Sequence, residues 1–188
     1  MAVLTLDPQA SVGRWARLRK KAGLPAQPLA ETCVPIHVED RLGELRRAGA
    51  DLVLLDTAGR DNNAITAAIA AADLVLIPCH PTDLELSTFG PSLARLRADR
   101  KEHYVLLINW SAGAVRRRAD AAAAIERAGG RVAQATYTHH ADHRVALEHG
   151  LGVTEFQPGQ PAAKEMRGVW AWLRGEIGLD AKRKAAAT

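Results

Sequence analysis

Residues Asp51 to Arg60 read DLVLLDTAGR, and this stretch decides the fold. Leu52, Val53, Leu54 and Leu55 run without polar interruption into Asp56, which is followed by Thr57, Ala58 and Gly59. An unbroken aliphatic run suits a strand buried on both faces, the situation of a parallel sheet lying under helices. Ligands of such sheets bind beyond the carboxyl ends of the strands, so Asp56 stands at the mouth of the sheet. A carboxylate there is suited to hold a hydrated Mg²⁺ beside a phosphate. Its plainer role is to cap the next helix.

The same pattern recurs in both directions. Ala2–Leu6 is a short apolar strand leading to Asp7-Pro8-Gln9. Ser11 caps a helix through Lys21 with Val12, Trp15, Ala16 and Leu18 as its apolar stripe, ended by Gly23 and Pro25. Residues 24–33 read as a loop and Val34–Val38 as a weak strand. A short helix capped by Asp40 then carries Leu42 and Leu45 up to Gly49. Beyond the DTAGR turn come an Ala-rich helix from Asn62 or Asn63 to Ala72 and a strand over Leu74–Ile77, stopping at Pro78. Asp83 opens a helix that Gly90-Pro91 is expected to kink or split. Tyr104–Ile108 is a further buried strand with Asn109 and Trp110 at its end. After it come a helix over Val115–Ala128, a weak strand over Val132–Thr136 and a short helix over Asp142–His149. The last element is an amphipathic helix over Pro161–Ile177, and residues 180–188 form a frayed basic tail. Strands alternating with helices predict a doubly wound, mostly parallel α/β sheet with helices on both faces, a single domain over residues 1–179.

Composition bounds the partners. The chain has 188 residues, 47% of them hydrophobic and 24% charged, enough for one good core and with no apolar run of membrane-spanning length. The opening MAVLTLDPQ lacks the layout of a secretion signal, and Cys33 and Cys79 lack a metal or redox spacing. A cytoplasmic protein with reduced thiols and no membrane partner is the expectation. A net charge of +4 is compatible with a polyanionic partner. Each of the basic clusters Arg14–Lys21, Arg116–Arg118 and Lys182–Lys184, taken alone, reads as a solvated face.

Three stretches together, LDPQ at 6–9, DTAGRD at 56–61 and AADLVLIPCHPTDLEL at 71–86, resemble the ParA/MinD family of deviant Walker-A ATPases, ParA branch. The closing GLGVTEFQPGQPAAKEMRGVWAWL resembles that family's final segment. The likeness extends from near residue 1 to about residue 175. It implies a P-loop ATPase fold that binds ATP and Mg²⁺. It gives Asp7 the place of the acid that orients the attacking water, and Asp56 the Walker B place, acting on Mg²⁺ through water. Asn109 takes the place of the residue that reads the adenine edge, with Gly59 also on the cofactor side. It further implies an ATP-closed homodimer, non-specific DNA binding, and a ParB-like or cargo-adaptor partner in segregation of plasmids, chromosomes or other cargo. Arg116, Arg117, Arg118, Arg167, Arg174 and Lys182–Lys184 are the residues offered for DNA.

The departures are informative. The family's Gly-rich phosphate loop precedes LDPQ by one helix, and no GxxxxGK[ST] occurs among these 188 residues. Backbone amides and a lysine to cradle the β- and γ-phosphates are then missing. Thr5 stands where many relatives carry another Asp. The resemblance therefore implies a sheet without its central strand, and an ATPase impaired in this form. The second reading is the distal part of an active ParA-type ATPase whose N-terminus lies upstream of Met1. A GTPase of the signal-recognition-particle type shares DTAGR, but the chain lacks a TKxD motif. The histidines at 139, 140, 143 and 149, with Asp142, do not match an established zinc spacing and read as solvated. Cys79 reads as a small core residue, and Trp170 and Trp172 as packing residues.

Overall fold

The structure is a computed structural model and describes residues 1–9, 11–58, 62–109 and 115–179. The basic tail, Gly59, Arg60, Asp61 and Trp110 lie outside the described residues. The chain divides into two compact units. Met1–Ala72 and Val145–Gly152 belong to the first, Asp73–Arg144 and the described residues from Val153 onward to the second.

In the first unit β1 (Ala2–Thr5) lies between β2 (Leu29–Thr32) and β3 (Val53–Asp56), all parallel. The register sets Thr5 opposite both Thr32 and Asp56. α1 (Ser11–Lys21) packs against β1 and β2. One face of the sheet is covered by α2 (Val38–Arg47) and α3 (Asn62–Ala71): Leu45 meets Ala2 and Leu4, while Val38, Ala64 and Ala68 meet Leu6. Each leucine or valine side chain fully removed from water there contributes about 1.5–3 kcal/mol.

In the second unit β5 (Glu102–Asn109) lies between β4 (Leu74–Cys79) and β6 (Tyr137–Thr138), again parallel. Successive β5 residues alternate between two cores. Val105 and Leu107 join Cys79 of β4, Leu93 of α4 (Asp83–Ala98), and Ala121 and Ile125 of α5 (Val115–Arg127). Tyr104 and Leu106 join Ala133, Ala135 and Val169, the last from α8 (Pro161–Glu176). Trp172 packs edge-on to Tyr104 with ring centroids 5.0 Å apart. The burial of β5 on both faces is what its unbroken apolar run anticipates. α6 (Ala141–Glu148) and the single turn α7 (Val153–Phe156) complete the elements.

The expected parallel α/β architecture is present as two sheets of three strands. Some local expectations need correction. The loop of 24–33 contains β2, whereas Val34–Val38 is not a strand. Pro35 has no N–H to donate and opens a 3-10 turn over Pro35–His37, from which Val38 starts α2. Pro91 does not split α4, which runs from Asp83 to Ala98 with Thr82 as its cap. β4 does not stop at Pro78 but continues to Cys79. The weak strand of 132–136 shrinks to a bridge between Val132 and Val105. The Ala133 and Ala135 carbonyls are instead taken by the Arg118 guanidinium, at 3.4 and 3.0 Å, and ladder pairing resumes at Tyr137.

Candidate nucleotide site

β1 and β3 lie side by side and parallel, so the residues beyond their carboxyl ends share one rim. Asp56 is the last residue of β3, and Asp7 stands two residues beyond the end of β1. Thr5 joins them. Its side chain is 0% exposed; its hydroxyl donates to Asp56 Oδ2 at 2.9 Å and accepts the Asp7 backbone N–H at 3.3 Å. Asp7 is fixed a second time, because its Oδ1 accepts the Gln9 N–H at 2.8 Å in an Asx turn. Two carboxylates with a buried hydroxyl between them are therefore held at one end of a parallel sheet. Among the described residues the Thr5 hydroxyl is the only hydrogen-bond partner of the Asp56 carboxylate. Its remaining lone pairs suit water molecules of a hydrated cation. No three His, Cys, Asp or Glu side chains among the described residues form a metal-binding group. That donor set fits Mg²⁺, which one or two carboxylates hold together with water and phosphate oxygens.

Asn109 belongs to the second unit, at the end of β5, and is 6% exposed. Its backbone carbonyl accepts the His139 N–H at 2.7 Å, while its Oδ1 is enclosed with no hydrogen-bond partner among the described residues. A buried amide oxygen lacking a donor is costly unless a ligand supplies one, and the exocyclic amino group of a purine is such a donor. Gly59, the other cofactor-side residue, lies outside the described residues.

The basic residues offered for DNA differ in their engagement. Arg116 and Arg117 are exposed on α5. Arg118 points to the Ala133 and Ala135 carbonyls, Arg167 donates to the Pro158 carbonyl at 2.6 Å, and the Arg174 guanidinium lies 6.0 Å from the Trp170 ring centre.

The histidines depart from the solvated reading. His139 and His149 are exposed, but His140 and His143 are half-buried, with both Nε2 atoms enclosed and without hydrogen-bond partners among the described residues. His140 Nε2 lies 3.4 Å from Glu165, whose carboxylate accepts both the Thr138 N–H and its hydroxyl. Burial first, and the neighbouring His140 second, push the His143 imidazole below its ordinary value, against Asp142 and Glu165. Cys79 is buried, and burial above all, then Glu85, pushes its thiol up to about 12, which leaves it no thiolate at neutral pH.

The resemblance marks Thr5 only as a replacement for another Asp; its part as the link between the two acids has no signal in the sequence beyond a lone hydroxyl inside the aliphatic run AVLTL, because its partner is 51 residues away.

No family model matches the sequence, and no curated protein does. Solved structures do. The chain is similar to the MinD cell division protein of Aquifex aeolicus, with a TM-score of 0.69 and 14% identity over 92% of this chain and 84% of that one. The septum site-determining protein MinD of Pyrococcus horikoshii, solved with Mg-ADP, gives 0.66 and 12% over 89% and 80%. A ParA family ATPase from Chlorobium tepidum gives 0.62 and 15% over 92% and 85%. At such identities the likeness speaks for architecture: the chain has the fold of the MinD and ParA ATPases.

Proposed function

We propose that this chain is a ParA-like partitioning or positioning protein whose rim beyond β1 and β3 serves ATP and Mg²⁺, and that it is impaired as an ATPase in this form. The observation that carries the reading is the hydrogen-bonded run Asp7–Thr5–Asp56 at the carboxyl end of two adjacent parallel strands. Asp56, tied through Oδ2, would hold the cation through water. Asp7, pinned by its Asx turn, would accept a hydrogen bond from the attacking water and orient it. Mg²⁺, when bound, neutralises charge on the phosphate oxygens. Asn109 would serve the adenine. The impairment follows from the motif that these residues do not contain: without GxxxxGK[ST] the phosphates lack their amide cradle and lysine. The same rim supports the second reading, in which these residues are the distal part of an active ParA-type ATPase. Relatives solved with Mg-ADP and as a MinC:MinD complex make nucleotide and protein partners reasonable for this chain, along with a homodimer and non-specific DNA.

The test is a titration with fluorescent ATP, with and without Mg²⁺, on this chain and on Asp56→Asn. Weak, Mg²⁺-dependent saturation that Asp56→Asn removes is the expected result. Tight binding would refute the impairment, and binding indifferent to Asp56→Asn would refute the role of the rim. A complete lack of binding would overturn the nucleotide reading. In a version of the protein that carries a phosphate loop, Asp7→Ala is expected to abolish hydrolysis while sparing ATP binding. Unchanged turnover would remove Asp7 from the mechanism.

A further inference from the structure

Two peptide groups flank Asn109 at the end of β5, and each is tied from a different side. The Ile108 carbonyl, in the peptide before Asn109, accepts a bond from His80 Nδ1 at 3.0 Å. The Asn109 carbonyl, in the peptide after it, accepts the His139 N–H at 2.7 Å. A carboxylate anchors each tie in turn. His80, one residue past the end of β4, donates its backbone N–H to Glu85 of α4 at 2.7 Å. On the other side Glu165 of α8 grips Thr138, the neighbour of His139, with both oxygens. Its Oε2 accepts the Thr138 N–H at 2.7 Å and its Oε1 the Thr138 hydroxyl at 3.1 Å. Because a peptide unit is planar, fixing the two units around a residue fixes its φ and ψ, and with them the direction of its Cβ. Asn109 is aimed in this way by its surroundings. Its Oδ1 is enclosed and has no hydrogen-bond partner among the described residues.

The plainer role of Glu165 is to satisfy a backbone group. Among the described residues β6 pairs only with β5, so the Thr138 N–H needs an acceptor of its own. One oxygen of any polar side chain would meet that need. A carboxylate only 21% exposed is a costly choice for it, and its second bond, to the hydroxyl, fixes the direction of Thr138 as well as its position. We propose that Glu165 and His80 are positioning residues for base recognition, which hold the two peptides around Asn109 so that its Oδ1 meets the amino group of a 6-amino purine. Neither residue touches the base; both act through the backbone. Kept in place, Oδ1 accepts from that amino group and meets another acceptor at the same position of a 6-oxo purine. Displaced, it loses the bond and the distinction with it. The inference rests on the proposed reading of Asn109 as the residue that serves adenine, and it names what keeps that residue selective.

The experiment measures the dissociation constants of ATP and of ITP, its 6-oxo counterpart, with Mg²⁺, and reads their ratio, in which effects on the shared phosphates cancel. Leaving a buried acceptor unpaired should weaken ITP by about 5- to 100-fold relative to ATP in the parent. Asn109→Ala should erase the preference. Glu165→Ala and His80→Ala should each lower it by about fivefold or more. Glu165→Gln should recover most of it, because its carbonyl still accepts the Thr138 N–H and its amide still donates to the Thr138 hydroxyl. His80→Asn should do the same, its amide N–H replacing Nδ1. Circular dichroism establishes that each variant is folded. Where Glu165→Ala is not, Thr138→Val, which deletes only the hydroxyl bond, stands in for it and should also lower the ratio. Whichever of these substitutions keeps the preference that Asn109→Ala erases overturns the role of Glu165 or of His80, and the nucleotide reading stands. Equal binding of ATP and ITP by the parent would remove Asn109 from base recognition, and this inference with it, while leaving the rim of Asp7 and Asp56 in place. If the parent binds neither nucleotide, the inference and the nucleotide reading fall together.

Discussion

Replacing Thr5 by Val tests the rim directly. The two side chains have nearly the same shape, so the substitution deletes one hydroxyl at a position that is 0% exposed and creates no cavity. Two bonds go with it: the 2.9 Å donation to the Asp56 carboxylate and the 3.3 Å bond from the Asp7 N–H. A hydrogen bond to a charged group contributes about 1.5–3 kcal/mol, and the second, longer bond adds little. Asp56 is only half-buried, so water recovers part of the loss, and the new methyl returns about 0.8 kcal/mol. A net destabilisation of about 1–2 kcal/mol remains, a shift of about 0.5–1 M in the urea midpoint for a slope near 2 kcal/mol/M. Combined with Asp56→Ala in a double-mutant cycle, Thr5→Val should show a coupling of about 1–2 kcal/mol. Hydrogen exchange supplies a local readout, because the Asp7 amide should lose protection in Thr5→Val and keep it in Thr5→Ser. A coupling below about 0.3 kcal/mol, with Asp7 exchange unchanged, would refute the idea that the hydroxyl holds the two acids together.

Other expectations are more local. His143 favours its neutral form when folded, so below its ordinary value of 6.5 the unfolded chain binds more protons. Its contribution to stability is complete above pH 6.5 and is lost as the pH falls from there through its lowered pKa; His143→Phe should flatten that part of a melting-temperature profile. Cys79, with its thiol pushed up to about 12, should resist iodoacetamide at pH 8 in the native protein and react once urea unfolds it; rapid native labelling would contradict its burial. Leu107→Ala should cost about 2–5 kcal/mol by denaturant unfolding, since Leu107 is 0% exposed between α4 and α5. Gly150 has φ +70°, and a Cβ there would lie 2.4 Å from the Arg19 backbone nitrogen. Gly150→Ala should therefore cost more than about 1 kcal/mol, and a neutral outcome would mean that α1 shifts freely.

The sequence revealed elements wherever one physical rule dominated. β3, β4 and β5 were legible because unbroken aliphatic runs have few homes other than a parallel sheet. β2 was not: Leu29-Ala30-Glu31-Thr32 is short and mixed in polarity, and among the described residues it pairs only with β1. Its strand character comes from backbone bonds to β1 and not from its own side chains. Val34 and Ile36 misled in the opposite direction. Their β-branched shapes favour strands, but Pro35 turns them into an exposed 3-10 corner, where Ile36 is 84% exposed. The weak strand after α5 failed for a tertiary reason, the capture of two carbonyls by Arg118 from 15 and 17 residues away. In the candidate site, Asp7 and Asp56 announced themselves as acids ending apolar runs. Their link through Thr5 is a matter of register, which spacing along a chain does not encode.

Among the described residues β3 is the last strand of its sheet, with Leu54 40% exposed and no charge among Val53, Leu54 and Leu55. Natural edge strands are commonly guarded by lysine, proline or a bulge, and these three residues supply none of those guards. While the chain folds, an aliphatic edge of this kind pairs with extended segments that reach it, so refolding should be cleaner at low protein concentration. Leu54→Lys, by adding a charge to that edge, should raise the yield of monodisperse protein without touching the core.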